Sequence, residues 1–248
     1  MKNSEIRKLA IMALKGNWWL STAILVCFTL IANISDLILR MMGLSINILL
    51  FEPMLPYYVT MIMTVMGVYY IFITLPLSTG LTWFYLDVLD GKEVKITNLF
   101  SAFKNYGKVI GATITMMVLV FLWSLLFIIP GVIKSISYSQ TLFIIKDNPE
   151  IKIRDAINES KVLMKGFEWK YFLIDLFFIG IGILMFIGII MVTVFLFMFS
   201  GMNVLVGGLL SMILILLSLI LFSLYIYPYY FTTHAGFYRQ LKKSEEQN

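Results

Sequence analysis

The sequence predicts an all-α fold: a polytopic membrane helical bundle of about six transmembrane helices, joined by three cytoplasmic interfacial amphipathic helices. Three observations predict it. Sixty per cent of the 248 residues are apolar and only 13% are charged, about half the charged share of a soluble domain. Six apolar runs, 18–34, 57–86, 109–129, 131–145, 171–199 and 204–231, divide the chain, and a spanning helix takes roughly 20 such residues. Seventeen of the 19 Lys and Arg residues fall in 1–17, 87–108, 146–170 and 232–248, with only Arg40 and Lys134 elsewhere. Loops on the cytoplasmic face keep an excess of cations, so these four stretches, and with them both termini, are expected there.

The first stretch places Ile6, Leu9, Ala10, Ala13 and Leu14 on one helical face, followed by Lys15-Gly16-Asn17-Trp18. No A-x-A-like cleavage site follows the first apolar run, so the N-terminus is expected to be retained. The run 57–86 is long enough to tilt or to extend past the lipid. The second amphipathic element carries Leu99, Phe100 and Phe103, then Lys104-Asn105-Tyr106-Gly107. Between residues 109 and 145, Pro130-Gly131 is expected to break the helix and reverse the chain. Cations on both sides of that hairpin require an even number of crossings; five crossings in all, or a re-entrant 131–145, are the alternatives.

The third element opens at Asn148-Pro149, an N-cap followed by Pro at the first helical position. Its face is Ile153, Ile157, Ser160, Leu163 and Met164, followed by Lys165-Gly166-Phe167-Glu168-Trp169. An amphipathic helix with cations on its polar side lies in the headgroup layer. Lys15, Trp18, Lys104, Tyr106, Lys165 and Trp169 are therefore the candidate membrane-interface residues. Each element precedes two apolar spans, and the second span of each holds a proline: Pro76, Pro130 and Pro228. The chain thus divides into one membrane domain, 1–248, with candidate repeat units 1–90, 96–147 and 149–235 and a cytoplasmic tail, 236–248.

The inventory for catalysis is thin. His234 is the sole histidine, expected to be a headgroup contact beyond the last span. Cys27 is the only cysteine, which rules out an intramolecular disulfide or a cysteine metal site. No P-loop or G-x-S-x-G elbow is present. Asp87-Val88-Leu89-Asp90-Gly91 resembles the opening carboxylates of enzymes that transfer phosphoalcohols to lipids. The next span has no acidic residue to complete a metal set, so a helix end with a D-G turn is expected. No catalytic, cofactor or metal residue is expected. Asp175, near Lys170 and Lys165, is the one acid well inside a span, where a charge costs roughly 2.5–3.5 kcal/mol at mid-bilayer. Lys134, Gln140 and Asp175 are the candidate intramembrane polar site, with Lys134 and Asp175 expected at opposite faces. Gly107, Gly111 and Thr115, and Gly180, Gly182 and Gly188, are small residues that allow close helix approach.

A family resemblance rests on several of these segments. "AIMALKGNWW", "NLFSAFKNYGKV", "FLWSLLFIIPGVIKSISYSQTLFIIKDNPE", "AINESKVLMKG" and "YPYYFTTHAGFYRQL" together resemble the bacterial membrane family catalogued as domain of unknown function 975. The resemblance implies a multi-pass plasma-membrane protein, mostly of Gram-positive bacteria, and brings no assigned activity or catalytic residues. The net charge of +5 points to membrane lipids with anionic headgroups, not nucleic acid, as partners. The expected role is non-enzymatic: a scaffold or a lipid- and partner-binding protein of the bacterial envelope. The alternative is a transporter or permease for a small molecule or lipid.

Overall fold

The computed structural model describes residues 2–41, 55–199 and 204–247, and they are helical with no strand among them. Helix α1 (Asn3–Leu14) leads into α2 (Trp18–Ala32) and α3 (Ile34–Met41). Helix α4 (Leu55–Tyr69) continues through a π-helical turn, Tyr70–Thr74, into α5 (Leu75–Leu89). A 3₁₀ helix, Ile96–Asn105, precedes the hairpin of α6 (Tyr106–Leu126), α7 (Ile128–Tyr138) and α8 (Thr141–Asp147). Then come α9 (Ile153–Met164), α10 (Glu168–Phe199) and α11 (Val204–Glu246). Five stretches are long and apolar enough to cross a membrane, and the pair α1–α2, bent by 92°, makes a sixth if taken as one. Helix α2 alone has 15 residues, about 22 Å, short of a ~30 Å hydrocarbon core. The expected tail, 236–248, instead continues α11 as far as Glu246.

Two junctions share one device. After α1, Lys15 is extended (φ −61°, ψ 119°), Gly16 has φ +92°, and the Asn17 N–H donates to the Leu14 carbonyl at 2.8 Å. After α9, Lys165 has φ −56°, ψ 118°, Gly166 has φ +82°, and the Phe167 N–H donates to the Met164 carbonyl at 2.8 Å. Both are type II turns, whose third position requires positive φ and hence favours Gly. The second element has no glycine there, and its 3₁₀ helix runs into α6 through Asn105 (φ −113°, ψ 36°).

The prolines act in different ways. Pro76 and Pro228 lie inside helices and cannot donate to the carbonyls four residues back, Phe72 and Leu224. Hydroxyls from other helices supply the bonds: Tyr106 donates to the Phe72 carbonyl at 3.0 Å, and Thr22 to that of Leu224 at 3.4 Å. The π-helical turn just before Pro76 absorbs the same break. Pro130-Gly131 does not make the reversal expected of it. The chain turns at Phe127, which is extended (φ −160°, ψ 152°). Pro130 sits in the first turn of α7, where its N–H would be unbonded anyway. Gly131 serves close packing, because a Cβ there would lie 2.0 Å from the Ser124 Oγ.

The core gathers at one end of the bundle, the basic end, where α1, the 3₁₀ helix, α9 and the last turns of α11 meet. Ile6, Ala10 and Leu14 of α1, Leu99 and Ala102 of the 3₁₀ helix, and Ala156 and Met164 of α9 are fully buried there beside Phe84, Tyr85, Phe237 and Tyr238. Thus the three amphipathic elements, expected to lay their apolar faces in lipid headgroups, press most of those faces against their own bundle, with Leu9 and Phe100 left 42% and 46% exposed. By contrast, the most apolar 18-residue window of Glu168–Leu196 buries none of its residues. Gly180, Gly182 and Gly188 face open space, so the close approach expected of them within the bundle is not made.

The tightest approach is at Gly80 of α5, where a Cβ would meet the Leu99 carbonyl oxygen at 1.9 Å. Replacement Gly80→Ala should therefore cost ~1–3 kcal/mol or more by overpacking. Gly107→Ala, with nothing within 4 Å, should be neutral or stabilising by up to ~1 kcal/mol through helix propensity. Thermal unfolding of both variants in lipid discs checks this; equal midpoints would refute the close packing.

Candidate functional site

Charged side chains at the basic end are joined into one network. The helices α5 and α8 both end in Asp residues, where the macrodipole is negative and acids are unfavourable. Cations offset this. Lys146 approaches Asp87 at 2.8 Å, while Lys92 lies 3.0 Å from Asp87 and 3.4 Å from Asp90. The hydrogen bond from Lys92 to Asp87 holds its ammonium above the ordinary lysine value. The expected D-G turn is present, with Gly91 at φ +68°.

From α11, Arg239 grips Asp90 with two parallel bonds, Nε–Oδ1 at 2.8 Å and Nη2–Oδ2 at 2.6 Å. The same guanidinium also holds Asp147 through Nη1 and Nη2. Tyr238 donates to Asp147 at 2.8 Å and Lys242 at 3.1 Å. The three carboxylate side chains are only 12–18% exposed. They face four cations, so the network carries a net positive charge. Its chemistry is positioning: a planar fork fits two carboxylates at once, and nothing in it resembles an acid–base or metal site.

A second cluster lies deeper along α10 and α11. His234 is 5% exposed, and its Nε2 lies 3.1 Å from Asp175 Oδ1. The angle does not make a hydrogen bond, so both ring nitrogens lack one. The Tyr230 hydroxyl donates to Asp175 at 3.2 Å. The Tyr171 and Tyr230 rings pack against the imidazole with centroids 4.7 and 4.3 Å away. This corrects two expectations. His234 is not a headgroup contact, and Asp175 pairs with His234 and Tyr230 in place of Lys170 or Lys165. Residues 55 apart in sequence meet only because antiparallel α10 and α11 fix their register, which no local pattern encodes.

The other two members of the expected polar site have separate partners. Gln140 is fully buried at the break between α7 and α8. Its Nε2 donates to Ser139 Oγ at 2.7 Å and its N–H to Ser160 Oγ at 3.2 Å. Ser160 in turn donates to the Ser137 carbonyl at 2.8 Å. One buried hydroxyl on α9 thus satisfies two backbone groups that the break leaves free. Lys134 lies with its Nζ 5.0 Å from the centre of the Trp123 ring.

Lys15, Lys104 and Lys165 are exposed. Trp169 is 68% exposed and stacks on Phe172. Trp18 stacks on Tyr225 at 4.7 Å, whereas its neighbour Trp19 is 89% exposed. Trp19 and Trp169 each lie four residues past the lysine of a type II turn, and that common offset could have singled out Trp19 from sequence. Tyr106 bonds inward to Phe72. A groove of about 790 Å³ opens beside these elements, floored by Leu9, Met12, Ala13 and Leu89 and edged by Arg239 and Lys243. Among the described residues, no group of three or more His, Cys, Asp or Glu side chains is placed to hold a metal ion.

A family model described as "Protein of unknown function (DUF975)" matches residues 1–138 and again residues 125–245. No curated protein and no solved structure matches the chain.

Removing Arg239 takes the shared fork from two partly buried carboxylates, leaving Lys92 to Asp90 and Tyr238 with Lys242 to Asp147. Arg239→Ala should lower stability by ~1.5–3 kcal/mol, the cost of lost hydrogen bonds to charged groups, and Arg239→Lys by less, since an ammonium keeps the charge but lacks the fork. The triple variant Arg239→Met, Asp90→Asn, Asp147→Asn should recover most of that loss, as neutral replacements of ion pairs do. Unfolding midpoints of the three proteins in lipid discs measure this; no recovery in the triple variant would contradict the account.

Proposed function

The chain belongs to the DUF975 family, and we propose that it is a non-enzymatic multi-pass protein of the bacterial plasma membrane. Its basic end acts as a platform for anionic lipid headgroups and a partner, with both termini on the cytoplasmic side. The observation that carries this reading is the repeated turn. Lys15 and Lys165 stand on matching type II turns, each with an exposed tryptophan four residues on. A cation beside an indole is suited to the boundary between headgroups and hydrocarbon. The charge network supports a platform and not a moving part, because Arg239 fastens the ends of α5, α8 and α11 together. The groove beside it supplies apolar surface next to Lys243 and the Arg239–Asp90 pair.

A second reading, transport of a small molecule or lipid, is favoured by one observation. The Asp175–His234–Tyr230 cluster is a polar site between two long apolar helices, with His234 buried and Asp175 and Tyr230 half-buried, and ionisable groups in such positions mark transport routes. Loss of substrate-dependent thermal stabilisation in Asp175→Asn would be its signature.

The platform reading is tested by extracting the chain into native lipid discs and weighing what is retained. The variant Lys15→Glu, Lys104→Glu, Lys165→Glu should lose anionic lipid relative to wild type, at ~1 kcal/mol per lysine near the surface. Trp19→Ala with Trp169→Ala should loosen the same lipids without altering charge. An unchanged complement of lipid and protein in both variants would sink the reading.

A further inference from the structure

We propose that the tip of the α6–α7 hairpin binds one anionic phospholipid, with its phosphate at Lys134 and one acyl chain in the groove between α6 and α7–α8. This rests on the membrane-embedded reading above, but on residues remote from the basic platform. Three observations combine.

The first is an uncompensated charge. No Asp or Glu occurs from residue 94 to residue 146, so the hairpin holds no carboxylate for Lys134. The ammonium instead sits over the Trp123 ring, an arrangement that orients a cation without neutralising it. Lys134 also lies six residues past Ile128, where α7 leaves the turn, about 9 Å along the helix. A lone lysine in an apolar segment is costly unless an anion reaches it.

The second is the groove itself, about 500 Å³, with Thr113, Met117, Val120 and Phe121 on one wall and Ser135 and Leu142 on the other. Two of its four lining hydroxyls are committed to backbone carbonyls, and the other two, on Tyr138 and Ser139, lie among apolar Met116, Met117 and Leu142. Thr113 donates to the Val109 carbonyl at 2.8 Å and Ser135 to that of Val132 at 2.8 Å. The cavity therefore presents hydrocarbon to its occupant and suits an alkyl chain better than a polar solute.

The third is direction. Phe121 and Ser135 mark the end of the groove next to Trp123 and Lys134, while Thr113 and Leu142 lie inward. From Thr113 to Phe121 is eight residues, about 12 Å along α6. A headgroup at the tip with its tail pointing inward is the orientation of a phospholipid in a leaflet. The mouth is flanked by apolar Met117 and Phe121, 45% and 62% exposed, as lipid contact requires.

The test uses the full chain, delipidated in detergent and titrated with phosphatidylglycerol or phosphatidylcholine under native mass spectrometry. Beyond any lipid held at the basic end, wild type should retain one equivalent of phosphatidylglycerol that the Lys15→Gln, Lys104→Gln, Lys165→Gln variant also keeps, preferred over phosphatidylcholine by about five-fold. Lys134→Gln should abolish that preference and Lys134→Arg should keep it. Val120→Trp, which fills the groove without touching charge, should release both lipids at an unchanged melting temperature; if it misfolds, Met117→Trp replaces it. Full retention by Lys134→Gln or by the groove-filling variant overturns the proposal. So does displacement of the lipid by millimolar glycerol phosphate, which would mean that the headgroup binds without the chain. A Lys15→Gln, Lys104→Gln, Lys165→Gln control separates the two ideas. If it sheds lipid while Lys134→Gln does not, the platform stands and the hairpin site falls.

Discussion

Arg239 is where the three returning legs of the chain are made to agree. Helices α5, α8 and α11 each bring the polypeptide back to the basic end, and the guanidinium bonds from the last to Asp90 and Asp147 on the other two. The acids sit at helix C-termini, where their charge opposes the macrodipole. Lys92 offsets part of this locally at the end of α5, but Asp147 and the bidentate bond to Asp90 wait for the cations of α11 to arrive. That conflict makes the arrangement selective: no leg can slip by a turn without breaking the fork of Arg239 on Asp90 and Asp147. A hydrophobic contact at the same place would tolerate such a slip, since apolar packing is non-directional.

The same logic explains where the core lies. Burial of apolar surface is favourable only when the alternative is water, and lipid tails are as apolar as leucine. The chain therefore concentrates its dense packing, including Ile6, Leu99, Phe84 and Tyr238, where its segments would otherwise meet water. Toward the far ends, α10 and α11 keep apolar side chains such as Leu184, Met191 and Leu217 exposed, as helices surrounded by hydrocarbon do. What holds helices together in that region must be more specific, and the proline sites supply an example. Pro76 and Pro228 each free a carbonyl, and Tyr106 and Thr22 reach across from other helices to claim them.

Periodicity and charge distribution made the helical, multi-span architecture legible, because both are properties of a single segment. The burial of Ile6, Ala10 and Leu14 follows directly from their spacing. What they bury against was misjudged, since an amphipathic stripe does not say whether its partner is lipid or protein. Trp18 is expected from sequence at the membrane interface, and its stacking on Tyr225, beside an exposed Trp19, is a tertiary fact of the same kind. Pro and Gly punctuate helices, so Pro130-Gly131 looks like a reversal; the first turn of a helix, where Pro130 sits, is the exception. The pairing of Asp175 with His234 and the role of Arg239 in a supposed tail were beyond reach. They depend on the register between helices far apart in the chain, which is set by the network just described.

The three amphipathic elements share an order in sequence but not an environment, and the difference has a cause. The elements at α1 and α9 end in a glycine with positive φ, which lets each chain turn sharply and leaves a lysine and a tryptophan facing outward. The middle element is wedged against α5, with the Leu99 carbonyl lying over Gly80. A 3₁₀ helix is thinner than an α-helix and rises faster per residue, so it fits a gap that a full α-helix would not. Having entered the bundle, its chain needs no sharp turn to start α6 and carries Asn105 where the others carry Gly16 and Gly166. Lys104 is consequently exposed without an outward indole: Tyr106, two residues on, is turned inward to the Phe72 carbonyl. If the segments descend from one repeated unit, the middle copy gave up its surface role to become the wedge that seats α5. The α1–α2 and α9–α10 copies then keep the type II turn, with its exposed lysine and the exposed tryptophan four residues on.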